Sequence, residues 1–395
     1  MVSAVTRRHQ ELKRLYEAAK RDRKVSRFYE DFNEGLQKKH IQPKDFSIRQ
    51  LFEQLVEDGR ELAESFNPRQ EGGVSLLEAS GAVDTSAFSN ISGQIFYNEM
   101  MNAYQQEDFI FSRMVRVVPT NLNGERMAGM GDLGDVGEIV GEGKAYPTAG
   151  VNEDWIDTPT TDKRGIIVPV TKEAIFFDKT SMVLDKCSKT GEALGVNKET
   201  RIIDAIIDEN TTKHRYKWRN TSYATFQTAS PWINKTASGN GLTDWTSIDA
   251  VERLNDRIVD PNTGLPVMVN LKHLIVTRDN LNIAKKIVTA TSVRTATPGY
   301  ATTANPSETE WANPISGYQI LTSKLLRTRL ASSTRWILAD LDKLVVYMEN
   351  WPITFTQAPS NSEAEFTQDI VFRFKASERG ATFVKEPRAA QSSDA

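Results

Sequence analysis

Apolar positions repeat with the period of a helix from about Asp178 to Asn210. At 3.6 residues per turn, Leu184, Cys187, Gly191, Leu194, Gly195, Ile202, Ala205 and Ile206 share one face. Lys186, Lys189, Asn197, Thr200 and Asp204 fall roughly opposite, and Val196, Ile203 and Ile207 form a second apolar strip. The C-terminal half is therefore expected to be covered on two sides. Asp178 is a suitable N-cap, since its carboxylate can accept the free N–H groups of the first turn. A helix of roughly 30 residues spans about 45 Å and would act as a spine. Gly191 and Gly195 each cost about 1 kcal/mol relative to alanine inside a helix. They lie on the apolar face, so the close approach of another backbone is the better reason for them. Cys187, on the same face, reads as a small buried hydrophobe.

The pattern before this helix is more broken. Residues 1–66 are charged and helical, with Leu12, Leu15, Tyr16 and Ala19 in one stripe and Val25, Phe28, Tyr29, Phe32 and Leu36 in another. The second stripe is half a turn out of phase with the first, which predicts a break near Arg21–Lys24. A further helix starts at Ser47-Ile48-Arg49-Gln50, a capping-box pattern, with Ile48, Leu51, Phe52, Leu55, Leu62 and Phe66 on its apolar face. These helices read as a small region with its own surface. Residues 67–89 read as a linker or extended arm, followed by a helix from Asn90 and a strand over Met114–Pro119.

Between Pro119 and the apolar run Gly165–Val170 little periodicity remains. The stretch is rich in glycine (Gly124, Gly129, Gly131, Gly134, Gly137, Gly141, Gly143) and in acid (Asp132, Asp135, Glu138, Glu142, Glu153, Asp154, Asp157). A long structureless loop argues against a self-contained compact domain. Flanking strands at Met114–Pro119 and Ile166–Val170, if paired, would make it a long hairpin projecting from the body.

After the long helix, Tyr216–Asn240 is aromatic and polar. A helix starting at Ser247 and stopping at Pro261, a strand over Val267–Thr277 and a helix over Asn280–Val288 predict a compact α/β domain over about 246–335. Thr289–Pro314, rich in Ala, Thr, Asn and Pro, reads as a mobile surface loop. The last segment is β-rich, with strands at Trp336–Asp340, Leu344–Met348, Ile353–Gln357 and Ile370–Lys375. The fold class is α+β.

Composition removes alternatives rather than adding chemistry. The 395 residues carry a formal net charge of −3 and one cysteine, so no internal disulfide is possible and no global charge draws the chain to nucleic acid or membrane. The N-terminus has no apolar signal core, and no run approaches the ~18 residues of a membrane span. The protein is expected to be soluble and made inside a cell. His9, His40, His214 and His273 are scattered, so no metal site is expected. Gly141-Glu142-Gly143-Lys144-Ala145 fails as a phosphate loop, with Glu138 at the first glycine position and Ala145 at the Ser/Thr position. No calcium loop or nucleophile elbow is present, and no cofactor is implied. The positive case for an enzyme is empty.

The order of pieces resembles the major capsid protein of tailed bacteriophages, the Hong Kong 97-type fold shared with encapsulin shells, over about residues 85–388. Gly131-Asp132-Leu133-Gly134-Asp135-Val136-Gly137-Glu138 with Gly141-Glu142-Gly143 and Tyr146-Pro147 is similar to the extended loop of such proteins. Lys163-Arg164-Gly165 through Thr171-Lys172-Glu173-Ala174 is similar to the strand entering the spine. Leu338-Ala339-Asp340 and Lys375-Ala376-Ser377-Glu378-Arg379-Gly380-Ala381 resemble the terminal β segment, where an arginine precedes the last strand.

The resemblance implies a non-enzymatic shell subunit of a phage or of a prophage-like or gene-transfer-agent particle. It would assemble into pentamers and hexamers of an icosahedral head around double-stranded DNA, in the host bacterial cytoplasm. It implies an N-terminal helical region (1–66), an N-terminal arm (67–112), an extended-loop hairpin (113–175), a peripheral domain with the spine helix (176–245), an axial domain (246–335) and a returning peripheral β segment with the tail (336–395). Partners would be many copies of the chain, possible scaffold, portal and cement proteins, and packaged DNA, with no membrane. Candidate contacts between copies are Asp132, Asp135, Glu138, Glu142 and Lys144. The spine would pack through Leu184, Cys187, Gly191, Leu194, Gly195, Ile202 and Ile206. Residues 1–27 hold a local basic excess, and Lys13, Lys20, Lys24 and Arg27 would share an interior, DNA-facing stripe if the helix were continuous. An encapsulin-type compartment is the alternative within the same fold, and a soluble enzyme of unknown class is the alternative outside it.

Overall fold

The computed structural model describes residues 4–22, 24–55, 82–128, 140, 142, 144, 154–171, 177, 179–210, 213, 215–218, 220–229, 231–236, 239–260, 264–296, 308–315, 317–357 and 370–395. The helices are α1 (Ala4–Arg21), α2 (Val25–Gln37), α3 (Ile48–Leu55), α4 (Ala82–Tyr104), α5 (Phe111–Met114), α6 (Thr180–Ile207), α7 (Trp245–Asp256), α8 (Leu281–Thr289), α9 (Lys324–Arg329) and α10 (Leu341–Leu344). The strands are β1 (Arg116–Pro119), β2 (Arg126–Ala128), β3 (Asp154–Asp157), β4 (Asp162–Thr171), β5 (Tyr216–Trp218), β6 (Thr221–Ser222), β7 (His273–Val276), β8 (Ser292–Ala296), β9 (Glu308–Ala312), β10 (Gln319–Leu321), β11 (Trp336–Ala339), β12 (Val345–Gln357), β13 (Ile370–Val384) and β14 (Ala390–Ser393). The chain divides into two compact units, Met1–Gln106 with Lys163–Asn197 and Pro352–Glu378, and Glu107–Asp162 with Lys198–Trp351 and Arg379–Ala395. The division falls within α6, β12 and β13.

The first unit is built on the N-terminal half of α6. Val183, Leu184 and Cys187 enter one core with Ile91, Ile95 and Phe96 of α4, Val168 and Val170 of β4, and Phe374 of β13. The N-terminal helices join this same core through Leu12, Phe32, Leu36, Phe46, Ile48, Leu51, Phe52 and Leu55, so they are not a separate body. The backbone N–H of Ile48 also donates to Thr180 Oγ1 at 2.8 Å. The predicted break separates α1 from α2, and Tyr16 then packs edge-on against Phe28. Leu15, expected on the α1 stripe, is 60% exposed, because Leu12 and Tyr16 complete the buried face. At the start of α3, Ser47 Oγ accepts from the Gln50 N–H at 3.2 Å, but Gln50 Oε1 is buried without a partner. Half of the capping box is made. Leu62 and Phe66 lie outside the described residues.

In the second unit the sheet β10-β7-β11-β14 has both faces covered. β7 is parallel to β10 and antiparallel to β11, which pairs antiparallel with β14. Alternation along the strands explains the two cores. Ile275, Ile337 and Ala339 face one with Ile202, Ile203 and Ile206 of α6, while Leu274, Val276, Trp336 and Leu338 face the other with Ile248 and Val251 of α7 and Ala284 and Ile287 of α8.

Several expectations are corrected. α4 begins at Ala82, ahead of Asn90. β1 pairs in parallel with β12, Arg116 opposite Val346, and β4 lies beside β13, so the strands expected to flank a hairpin do not pair with each other. The hairpin base is instead β2 with β3, Arg126 opposite Asp157. Thr289–Pro314 is not wholly a loop. β8 and β9 pair antiparallel within it, because Val293, Thr295, Thr309 and Trp311 are good strand formers despite the surrounding Ala, Asn and Pro. The strand expected over Val267–Thr277 shortens to β7. The two strands expected over 344–357 are one, β12, and Arg379, which precedes the last strand β14, itself lies inside β13. Helix α6 spans 28 residues, about 42 Å. Its predicted cap, Asp178, lies outside the described residues. It ends because Asp208 takes a left-handed conformation, φ +38°.

Gly191 is buried where α6 meets α4, and a Cβ there would overlap the Met100 carbonyl oxygen and lie 2.9 Å from its carbon. Alanine would gain about 1 kcal/mol of helix propensity. Overpacking costs about 1–3 kcal/mol and occasionally more, and a backbone oxygen cannot move aside as a flexible side chain can. Gly191→Ala is therefore expected to destabilise the protein, read as a lower urea midpoint at unchanged slope.

Candidate functional site

The long helix is secured at polar points as well as along its apolar face. The structure buries Leu184, Cys187, Gly191, Leu194, Gly195, Ile202 and Ile206. Burial, with Glu99 nearby, pushes the Cys187 thiol up to about 12, so it holds no reactive thiolate. Glu199 is fully buried, and its two carboxylate oxygens accept the N–H groups of Phe111 and Ser112, each at 2.8 Å. It thereby caps the turn α5. Burial raises its pKa against the opposing pull of those two N–H groups.

At the other end, Arg335 Nη2 donates to the Ile207 carbonyl at 3.2 Å and Nη1 pairs with Glu209 at 2.9 Å. A cation on the last carbonyls complements the helix dipole. Its Nε donates to Ser392 Oγ at 2.9 Å, tying the helix end to β14. Asp208 adds a clasp, accepting from the Lys213 N–H at 2.9 Å and from the Thr225 hydroxyl.

The base of the hairpin is equally specified. β3 pairs with β2 on one side and β5 on the other, giving the sheet β2-β3-β5-β6. Ile156 and Tyr216 of this sheet are fully buried with Trp232, Val346, Met348 and Phe383. Asp157 pairs with Lys217 at 2.7 Å and Arg126 at 3.4 Å and accepts from Trp155 Nε1 at 3.1 Å. Partial burial works against ionisation, but Lys217, Arg126 and Trp155 together hold this carboxyl below its ordinary range. Beyond the base, Glu142 and Lys144 are exposed, and Asp132, Asp135 and Glu138 lie outside the described residues.

A buried ionic cluster closes the second unit. Arg388, 2% exposed, forms a two-point pair with Glu386 at 2.7 and 2.8 Å, lies 3.7 Å from Asp260, and stacks 5.6 Å from the Tyr216 ring. Burial pulls the guanidinium's pKa down, but Glu386, Tyr216 and Asp260 outweigh it and raise it. Asn234, also fully buried, donates to the carbonyls of Thr225, Pro387 and Ala390. Sequence reasoning missed Glu199, Arg335, Asn234 and Arg388. The one available signal was charge set among apolar neighbours, as in Glu386-Pro387-Arg388-Ala389-Ala390.

These arrangements join one segment of the chain to another. Among the described residues no group of three or more His, Cys, Asp or Glu could hold a metal, and no helix is long and apolar enough to cross a membrane. An open groove of about 480 Å³ along α7, bordered by Trp245, Asp249, Arg253 and Arg257, is a feature of one helix surface. The four basic residues do not share a stripe, because α1, which carries Lys13 and Lys20, stops before Lys24 and α2, which carries Arg27. Lys20, Lys24 and Arg27 are exposed and Lys13 is half-buried.

A family model described as phage capsid protein matches residues 156–393, more than half of the chain. The chain belongs to the phage capsid protein family. The match begins at the buried Ile156 of β3 and ends at Ser393 of β14, so it takes in α6, the sheet β10-β7-β11-β14 and the Arg388 cluster. Solved capsids are similar at low identity. The capsid of the Cyanophage P-SCSP1u is 12% identical, over 72% of this chain and 87% of that one, with a TM-score of 0.43. The capsid of a native GTA particle is 12% identical, over 73% and 90%, with a TM-score of 0.44. A virus-like particle from Pyrococcus furiosus is 11% identical, over 76% and 98%, with a TM-score of 0.40. No curated protein sequence matches the chain.

Two substitutions test the polar anchors of this phage capsid protein. Arg388→Met removes the buried cation that faces Glu386 and Asp260, a loss of about 3–5 kcal/mol. Denaturant unfolding should show that loss, and adding Glu386→Gln should recover part of it. His273 supplies a pH test. Burial lowers its pKa below the ordinary 6.5, with Lys272 adding to that and the Ala339 carbonyl and Asp340 opposing. The unfolded chain therefore binds more protons below about pH 6.5, so this contribution is present above that pH and lost as pH falls through it. Between pH 7 and pH 5.5 wild type should lose more stability than His273→Gln.

Proposed function

We propose that the chain is the repeating subunit of a closed phage head with the Hong Kong 97-type fold, and that its role is structural rather than catalytic. Membership of the phage capsid protein family is the observation that carries this reading. The fold supports it in a specific way. The hairpin base β2–β3 is rooted in a core by Ile156, while Glu142 and Lys144 farther along are exposed and have acidic neighbours in sequence. Such an arm finds its contacts on another copy, with Asp132, Asp135, Glu138, Glu142 and Lys144 choosing partner and register. Exposed ion pairs contribute only about 0–1 kcal/mol each, so direction rather than affinity is their contribution.

In this reading copies form pentamers and hexamers of an icosahedral shell. The sheet β10-β7-β11-β14 with α7, α8 and α9 serves as the axial part at the capsomer centre, and α6 with β12 and β13 as the peripheral part. The N-terminal helices face the interior, where Lys20, Lys24, Arg27 and their basic neighbours meet double-stranded DNA. That local basic excess favours nucleic acid over an enclosed enzyme as cargo. The particle is a virion head assembled in the host bacterial cytoplasm, with scaffold, portal and cement proteins as candidate partners.

Sedimentation and negative-stain imaging of the purified chain test the reading. Rings or closed shells are expected as concentration rises, and a compact monomer at every salt and concentration overturns it. Replacing residues 129–153 by a short Gly/Ser turn keeps β2, β3 and Ile156. This variant should retain the circular-dichroism helix content of wild type and form no closed shells. Wild-type shells from it would mean that the hairpin does not join copies.

A further inference from the structure

The small sheet β2-β3-β5-β6 that carries the hairpin is held in its unit by two kinds of interaction. One is the apolar bed of Ile156 and Tyr216 on Val346, Met348 and Phe383. Apolar burial scales with area and has no preferred direction. The bed therefore fixes how deeply the sheet sits and leaves its angle loosely set. Hydrogen bonds weaken steeply off-axis, so they can supply the angle.

Those bonds are concentrated at the neck, residues 120–125 entering β2 and 158–161 leaving β3. Asn350 of β12 donates through Nδ2 to the carbonyls of Thr120 at 2.9 Å and Leu122 at 3.3 Å. Arg379 of β13 donates through Nε to Thr161 Oγ1 at 2.9 Å, with its guanidinium 5.4 Å from the Trp351 ring. Thr161 passes the link on. Its hydroxyl at 3.2 Å and its backbone N–H at 2.8 Å both meet Asn123 Oδ1. The Thr158 N–H donates to the Glu125 carbonyl at 3.1 Å, and Gly124 makes the turn at φ +84°. Both crossings of the neck are thus tied to each other and to the two long strands.

Asn350 carries a second sign of purpose. Its Oδ1 is buried with no partner, a cost that an apolar residue at this strand position would avoid. Arg379, singled out in the sequence as the arginine that precedes the last strand, gains a role here as well.

We propose that Asn350, Arg379, Thr161 and Asn123 form a polar brace that aims the hairpin, and that opening the brace re-aims it while the apolar bed stays folded. The proposal rests on the reading that the hairpin meets a neighbouring copy. A brace of this kind makes the angle between subunits, and hence particle size, depend on four side chains remote from the hairpin's own contacts.

The test uses the full chain as wild type, Asn350→Ala and Arg379→Ala, with Thr161→Val and Arg379→Lys as milder variants that keep side-chain volume. Hydrogen exchange is followed at the amides of Leu122, Thr158 and Thr161, and at Ile337 and Leu338 in the sheet core. Neck amides should exchange about tenfold or more faster in the variants with the core unchanged, the signature of local opening. Imaging of the assembled material should show a broadened spread of diameters or arrest at rings. Unchanged neck exchange in every variant, or acceleration shared equally by Ile337 and Leu338, overturns the brace. Freely exchanging necks in particles of wild-type diameter overturn its aiming role. If wild type itself forms no particles, the shell reading fails on its own and the exchange data still decide whether the brace exists.

Discussion

Most of this structure follows from the need to cover one long helix on its apolar side. The first half of α6 is covered by α4, β4 and the N-terminal helices, and the second half by β7, β11 and the segments around them. An amphipathic helix in a protein draws most of its stability from the packing of its apolar face. The helix therefore calls in chain from distant parts of the sequence. Gly191 lets α4 approach to backbone contact, and Glu199 and Arg335 convert the two ends of the second half into fixed polar joints.

Charges inside the protein follow one rule. Each deeply buried one has compensation, as Arg388 has in Glu386 and Asp260, or Glu199 in two backbone N–H groups. Such groups add little net stability compared with apolar packing, but losing one partner is expensive. They specify where β14 and α5 must lie more than they strengthen the fold. The neck of the hairpin follows the same logic with one charged group, Arg379, among neutral ones. Hydrogen bonds are directional, so at the neck they fix the orientation of β2 and β3 more closely than apolar contact does.

How much of this could be read from the sequence depends on the range of the interaction. The α6 face was legible because 3.6-residue periodicity is local, and so was the break before Lys24, where two stripes fall out of phase. Gly191 was legible as a close approach because glycine on an apolar helix face has few other uses. Pairings between distant strands were not. Nothing local says that Arg116 lies opposite Val346 rather than near Ile166, and both strands have similar composition. The β8–β9 ribbon was hidden by Ala, Asn and Pro around good strand formers. The helix end at Asp208 was also invisible, since a left-handed aspartate depends on the Lys213 N–H and the Thr225 hydroxyl that hold it. Of the candidate site, the hairpin's acidic character was plain in the sequence, whereas its true base at Arg126–Ala128 and Asp154–Asp157 and the neck contacts needed the fold.

The hairpin is proposed to complete its contacts on another copy of the chain. Lysine cross-linking of assembled material made from mixed light and heavy isotope-labelled chains tests it directly, with Lys144 as the reporter. The account predicts that cross-links from Lys144 join light to heavy chains as often as random mixing allows. Cross-links from Lys144 confined to peptides of a single isotope, found in intact particles, would contradict it.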